Sequence, residues 1–221
     1  MVPDQRSDTR CPRTVAYVSS AETKEIIVLT LDPENGDIIP VEKVGVPGTD
    51  RPSPTSMPLA ISPDRRFLYA ALRSAPFPVS SFEIDPHGGH LTHVATVPLP
   101  DNMAYIATDR TGCYLFAASY VGAKLTVNSI GPRGDVQAPA IQVVETLPKA
   151  HCILSDGSNR FVYATSLAGD IVMQQEFDAT TGRLVPLTPA IVQTKRNAGP
   201  RHHVLSPSGR FLYLLNELAG C

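Results

Sequence analysis

Short apolar runs alternating with polar turns recur along the chain at a nearly constant interval. Four segments lie over one another: SPDRRFLYAAL from Ser62, TDRTGCYLFAAS from Thr108, SDGSNRFVYATS from Ser155 and SPSGRFLYLLNE from Ser206. Each opens on a turn of Ser, Asp, Pro or Gly and runs into an apolar, aromatic-rich strand. The leading aromatics Phe67, Tyr114, Phe161 and Phe211 stand 47, 47 and 50 residues apart. TVAYVSS from Thr14 fits the same place ~52 residues before Phe67.

A second element keeps the same period: LTLDPENGDI from Leu29, FEIDPHGGHL from Phe82, NSIGPRGDV from Asn128 and EFDATTGRL from Glu176. Each reads as a strand end, a turn and a new strand, with Pro fixing φ at one corner and Gly admitting φ > 0. VEKVGV, HVATVPL, IQVVETL and PAIVQT follow as a fourth segment of each unit. No window carries a helical stripe. A four-stranded unit of this length is the signature of a β-propeller blade. The rival fold is a β-sandwich of chance-similar hairpins. The expected architecture is an all-β propeller with about four to five blades of four-stranded antiparallel sheet. The propeller domain is expected over residues 14–221, after a flexible segment at 1–13. The final repeat stops at NELAGC with one recognisable strand. A ring left incomplete at its C-terminal side is therefore expected, with two blade faces and a strand edge open.

Composition narrows the function classes. The formal net charge is -2 in 221 residues, which gives no reason to expect nucleic acid or an anionic membrane as partner. The first residues hold no apolar signal core, and no run is long enough to span a bilayer. Cys11, Cys113, Cys152 and Cys221 are scattered without a CxxC pair, so reduced thiols and a cytoplasmic location are expected. Twenty-one prolines and 15 glycines agree with many turns.

Three places carry candidate chemistry. In PKAHCILS, His151 enters the inner strand of its unit; it suits a general base, or a hydrogen-bonded histidine at a strand start. In NAGPRHHVLS, Arg201 leads the next inner strand, followed by His202 and His203. A guanidinium suits a carboxylate, phosphate or oxyanion, although KRNAGPRHH also reads as a solvated basic turn. If the strand is regular, His202 and His203 point to opposite sides. In LLNELAG, Asn216 and Glu217 follow an apolar strand, where a carboxylate is costly to bury unless paired; the plain alternative is that both reach water. His151 and Arg201 each precede their leading aromatic by ten residues. They occupy equivalent places in consecutive units, which a ring would bring together at its axis. A base, a cation and a carboxylate meeting there suit hydrolysis or isomerisation of an anionic ester. No G-x-S-x-G, Walker loop, H-E-x-x-H or EF-hand loop occurs. His87 and His90 lie in a hairpin turn, and no metal is expected there.

MPLAISPDRRFLYAALR, YIATDRTGCYLFAASYVGAKLTV, LPKAHCILSDGSNRFVYATSL and above all AGPRHHVLSPSGRFLYLLNEL resemble the seven-bladed propeller lactonases of the 6-phosphogluconolactonase type. The resemblance runs from about Val15 to Leu218. It implies a seven-bladed ring, no cofactor or metal, and hydrolysis of 6-phospho-D-glucono-1,5-lactone in the pentose phosphate pathway, with the phosphorylated sugar lactone as partner of a monomer. It also implies a catalytic trio at His151, Arg201 and Glu217, with His202, Asn216 and Tyr120 as substrate-binding residues. Departures fall at Ala150, where relatives have Pro, at Ile153, at the SDGSN turn and at Ser119 beside Tyr120. A carboxymuconate-type cycloisomerase is the alternative reaction. A non-catalytic propeller, or an inactive fragment of one, is the alternative of another class.

Overall fold

The computed structural model describes residues 14–52 and 56–220. Every regular element in it is a strand, and the seventeen strands make five antiparallel sheets. The first blade holds β1 (Thr14–Ser20), β2 (Glu25–Leu31) and β3 (Ile38–Gly45). The second holds β4 (Leu59–Ile61), β5 (Phe67–Ala71), β6 (Pro78–Ile84) and β7 (Leu91–Pro98). The third holds β8 (Met103–Thr108), β9 (Tyr114–Ser119), β10 (Lys124–Ser129) and β11 (Gln142–Glu145). The fourth holds β12 (Ala150–Ser155), β13 (Phe161–Ser166), β14 (Ile171–Asp178) and β15 (Arg183–Gln193). The fifth holds β16 (Pro200–Leu205) and β17 (Leu212–Asn216). In every sheet the strands pair in sequence order.

Two expectations are corrected. The final unit contains two strands, because PRHHVL pairs with LYLLN from Leu205↔Leu212 to Pro200↔Asn216. The return strand of a hairpin and the segment after it are also one element: in β7 and β15 a single strand runs from the turn to the blade edge. The expected flexible segment 1–13 lies outside the described residues.

The polar turns work as side-chain clamps. Asp109 accepts from the backbone N–H groups of Thr111, Cys113 and Tyr114. Asp156 does the same for Ser158, Arg160 and Phe161. The repeated Asp or Ser therefore closes the turn that launches the aromatic strand.

Apolar side chains fill the spaces between sheets. Ile26, Val28, Leu68 and Phe82 seal the first against the second. Tyr69, Val79, Leu115 and Val136 lie between the second and third. Phe116, Leu125, Val162 and Phe177 lie between the third and fourth. The inner strands β4, β8, β12 and β16 thus stand side by side about one axis. The outward faces of the first and fifth blades expose apolar side chains, among them Val18 and Ile38 in one and Phe211, Tyr213 and Leu215 in the other. No helix among the described residues is long and apolar enough to cross a membrane.

Candidate active site

Three neighbouring inner strands are irregular at the same place. Met103 pairs with Ser119 and Tyr105 with Ala118, leaving Ala104 as an extra residue. Pro200 pairs with Asn216 and His202 with Leu215, leaving Arg201 extra. The register of β12 shifts between Ala150 and Ile153, around His151. A bulge bends the strand and re-aims side chains. His151 and Arg201 thus enter the axis from equivalent bulges. His202 and His203 diverge as expected, while the bulge lets adjacent Arg201 and His202 both touch His151. His203 turns into the protein and is buried.

The bulge around Arg201 is held from several sides. Thr165 Oγ1 donates to the Arg201 carbonyl at 2.7 Å and accepts from Cys152 N–H at 3.1 Å, so it ties β12 and β16 together. The Asp170 carboxylate accepts from Asn197 N–H and Gly199 N–H at 2.6 and 2.9 Å. These bonds hold the Asp170 carboxyl below the usual carboxylate range. Gly199 has φ +66°, and a Cβ there would meet Leu218 Cγ at 2.6 Å. Gly is therefore required before Pro200. Glu217 N–H returns to the Gly199 carbonyl at 2.8 Å, which places the carboxylate beside Arg201.

Arg201 Nε donates to His151 Nε2 at 3.0 Å, and Glu217 Oε2 lies 2.9 Å from the same nitrogen. The His151 ring stands edge-on to His202 at 4.7 Å and to Tyr120 at 5.8 Å between centroids. His151 is 8% exposed, whereas the Arg201 and Glu217 side chains are 40% and 42% exposed. The imidazole forms the floor of the site and the ion pair its wall.

Burial pushes the His151 pKa down from near 6.5 to about 4, helped by His202, Arg201 and Arg73. The ring is neutral near pH 7. Because Nε2 accepts from Arg201, the ring proton sits on Nδ1, a buried atom with no hydrogen-bond partner among the described residues. Burial and Arg201 also lower the His202 pKa. Burial raises the Cys152 thiol to about 11, so it is not a nucleophile near neutral pH.

Of the residues singled out from sequence, His151, Arg201, Glu217, His202 and Tyr120 gather in one place. Asn216 closes β17 opposite Pro200 with Oδ1 buried and unpartnered among the described residues. Three neighbours were missed. The Tyr105 ring, from the third blade, lies tilted against His202 with centroids 5.9 Å apart. Lys149 holds its Nζ 5.7 Å from the Tyr120 ring centroid. Arg73 donates to Asn102 Oδ1 at 2.6 Å and to Ser56 Oγ at 2.8 Å. The repeat contained a signal for Arg73. Arg73, Tyr120, Leu167 and Glu217 each stand six residues after Phe67, Tyr114, Phe161 and Phe211.

Comparison with known proteins finds relatives over nearly the whole chain. A 6-phosphogluconolactonase of Pectobacterium carotovorum is 37% identical over 204 residues, covering 92% of this chain and 58% of the relative. The chain thus spans less than two thirds of that relative's length. A Bacteroides fragilis structure described as a putative 6-phosphogluconolactonase superposes with TM-score 0.80 at 24% identity, over 95% of this chain and 62% of that one. A periplasmic gluconolactonase of Pseudomonas aeruginosa superposes with TM-score 0.77 at 25% identity, over 94% of this chain and 62% of that one. The model of the lactonase family with a seven-bladed β-propeller matches residues 14–221, and the chain belongs to that family.

Proposed function

We propose that this protein hydrolyses a sugar lactone, 6-phospho-D-glucono-1,5-lactone, to the open acid. The observation that carries the reading is the contact of one guanidinium nitrogen with both an imidazole and a carboxylate, 3.0 and 2.9 Å away, on a buried floor. The name of the Pectobacterium relative supports the substrate.

In the resting site Arg201 Nε–H occupies the His151 lone pair. When lactone and water enter, Arg201 turns this N–H to Glu217 Oε2, already within reach, and frees Nε2. His151 takes a proton from the water. The resulting hydroxide attacks the lactone carbonyl, and the guanidinium stabilises the oxyanion. The tetrahedral intermediate collapses with cleavage of the bond from carbonyl carbon to ring oxygen. The imidazolium, made acidic by its burial, returns its proton to that oxygen. Proton and charge balance close, with His151 neutral again. Glu217 acts as the positioning residue that receives the guanidinium.

The reaction belongs in the cytoplasm in this reading, a compartment different from that of the Pseudomonas relative. The exposed free thiol of Cys113 favours reducing surroundings. The test is consumption of freshly made 6-phosphogluconolactone by the purified chain, measured as acid release above the spontaneous rate. Catalysed release supports the reading. A rate equal to the spontaneous one overturns it for this chain.

A further inference from the structure

Two cations beside the trio have no task in the steps above. Arg73 follows β5 in the second blade, and Lys149 immediately precedes β12 in the fourth. Tyr120, after β9 in the third, stands between them in the order of blades. Its ring lies under Lys149 Nζ at 5.7 Å and edge-on to His151 at 5.8 Å. Arg73 is tied to the same corner: Asn102 Oδ1 accepts from its Nε at 2.6 Å, and the Asn102 carbonyl accepts from the hydroxyl of Ser119, the residue before Tyr120, at 3.0 Å. The nearby Asp101 carboxylate is already engaged by Lys124 at 3.1 Å.

We propose that Arg73, Lys149 and the Tyr120 hydroxyl form a subsite for the distal phosphate of the substrate, an assignment that rests on the lactonase reading of the same site. A phosphate dianion has three oxygens and about two charges to satisfy, which suits a guanidinium, an ammonium and a hydroxyl converging from separate blades. Asn102 Oδ1 and Ser56 Oγ, two uncharged acceptors of Arg73, orient the guanidinium. The electrostatic influence of Arg73 on His151, and of Tyr120 on Arg73, agrees with the three lying near one another. The assignment divides the labour between cations. Arg73 and Lys149 hold the remote anion, and Arg201 remains for the charge that develops at the carbonyl. Binding energy from the remote group then orients the reacting one.

The experiment is calorimetric titration of the whole chain with 6-phosphogluconate and, separately, with gluconate, alongside hydrolysis of the two corresponding lactones. The expected result is tighter binding of the phosphorylated acid. Arg73→Met should shrink this preference by about tenfold or more, Lys149→Met by about threefold, and Arg73→Lys should keep most of it. Circular dichroism and thermal midpoints identify any variant that fails to fold, and exposed Lys149 supplies the variant least exposed to that risk. A preference unchanged in both Arg73→Met and Lys149→Met, or no preference in the unaltered chain, overturns the subsite. Failure of the functional reading looks different: neither lactone is hydrolysed, while the phosphate-dependent binding and its loss in the variants persist.

Discussion

The junction between the third and fourth blades and the junction between the fourth and fifth are built from one repeat, yet they do different work. The first is closed by side chains taken wholly out of water. Phe116 meets Phe177 edge-on at 4.9 Å, with Leu125, Ile153 and Val162 around them. The second is joined by polar contacts: Thr165 to the Arg201 carbonyl, Arg201 to His151, and a buried His203 with neither ring nitrogen partnered among the described residues. At the bulge the third blade carries Ala104 where the fourth and fifth carry His151 and Arg201. The same backbone device carries a small apolar residue in one blade and the candidate chemistry in the next two. The propeller repeat fixes where a side chain will point, and the residue type at a few repeat positions decides whether anything happens there.

The comparison can be broken at its polar side first. Replacing His151 with Ala should lower kcat by about 10²- to 10⁴-fold, the usual range for losing a general base. Steady-state lactone hydrolysis checks it. On the apolar side, Phe116→Ala should cost about 3–5 kcal/mol of unfolding free energy in denaturant titration, because Phe116 is 0% exposed and its space cannot refill. Phe211, at 58% exposed, has no such surroundings, and Phe211→Ala should shift stability by no more than about 0.5 kcal/mol. Equal losses at the two positions would erase the distinction between sealed and open faces.

Titration sharpens the same contrast. His151 works as a base only when neutral, so kcat/KM should fall as pH drops through about 4, and this acid limb should vanish from the residual rate of His151→Asn. Stability responds over a wider window. His151 and His203 both titrate near 4 in the folded protein and near 6.5 when unfolded. Between these values the unfolded chain binds more protons, so stability is highest above 6.5 and declines as pH falls toward 4. Substituting His203 with Phe should flatten the decline of thermal midpoint with pH. Glu217→Gln acts on activity more than on stability. Both partners of the Arg201–Glu217 pair are well exposed, so its loss should change stability by less than about 1 kcal/mol while activity still drops.

Much of this was legible in the sequence. The period of the leading aromatics gave the blades, and the ten-residue offset of His151 and Arg201 gave their neighbourhood, because register in a repeat fold translates directly into position about an axis. The bulges were not legible, since an extra residue at Ala104, His151 or Arg201 leaves no mark on the apolar pattern. Hence the shared approach of adjacent Arg201 and His202 to His151 could not be read from simple alternation. Arg73 and Lys149 escaped for another reason: each sits just outside a strand in a polar stretch, where a charged residue is ordinary. Only the match of Arg73 to Tyr120 and Glu217 at one repeat position sets it apart. PRHHVL was legible as an inner strand around Arg201 but too polar to be counted beside LYLLN in the final repeat, with which it pairs.

The central claim is that His151 and Arg201 act as one unit because equivalent bulges place them in contact. A double-substitution cycle on lactone hydrolysis, with His151→Gln, Arg201→Gln and the pair together, addresses it most directly. The account predicts that the double variant is scarcely slower than the worse single one. Losses that multiply, as for two independent residues, would contradict it.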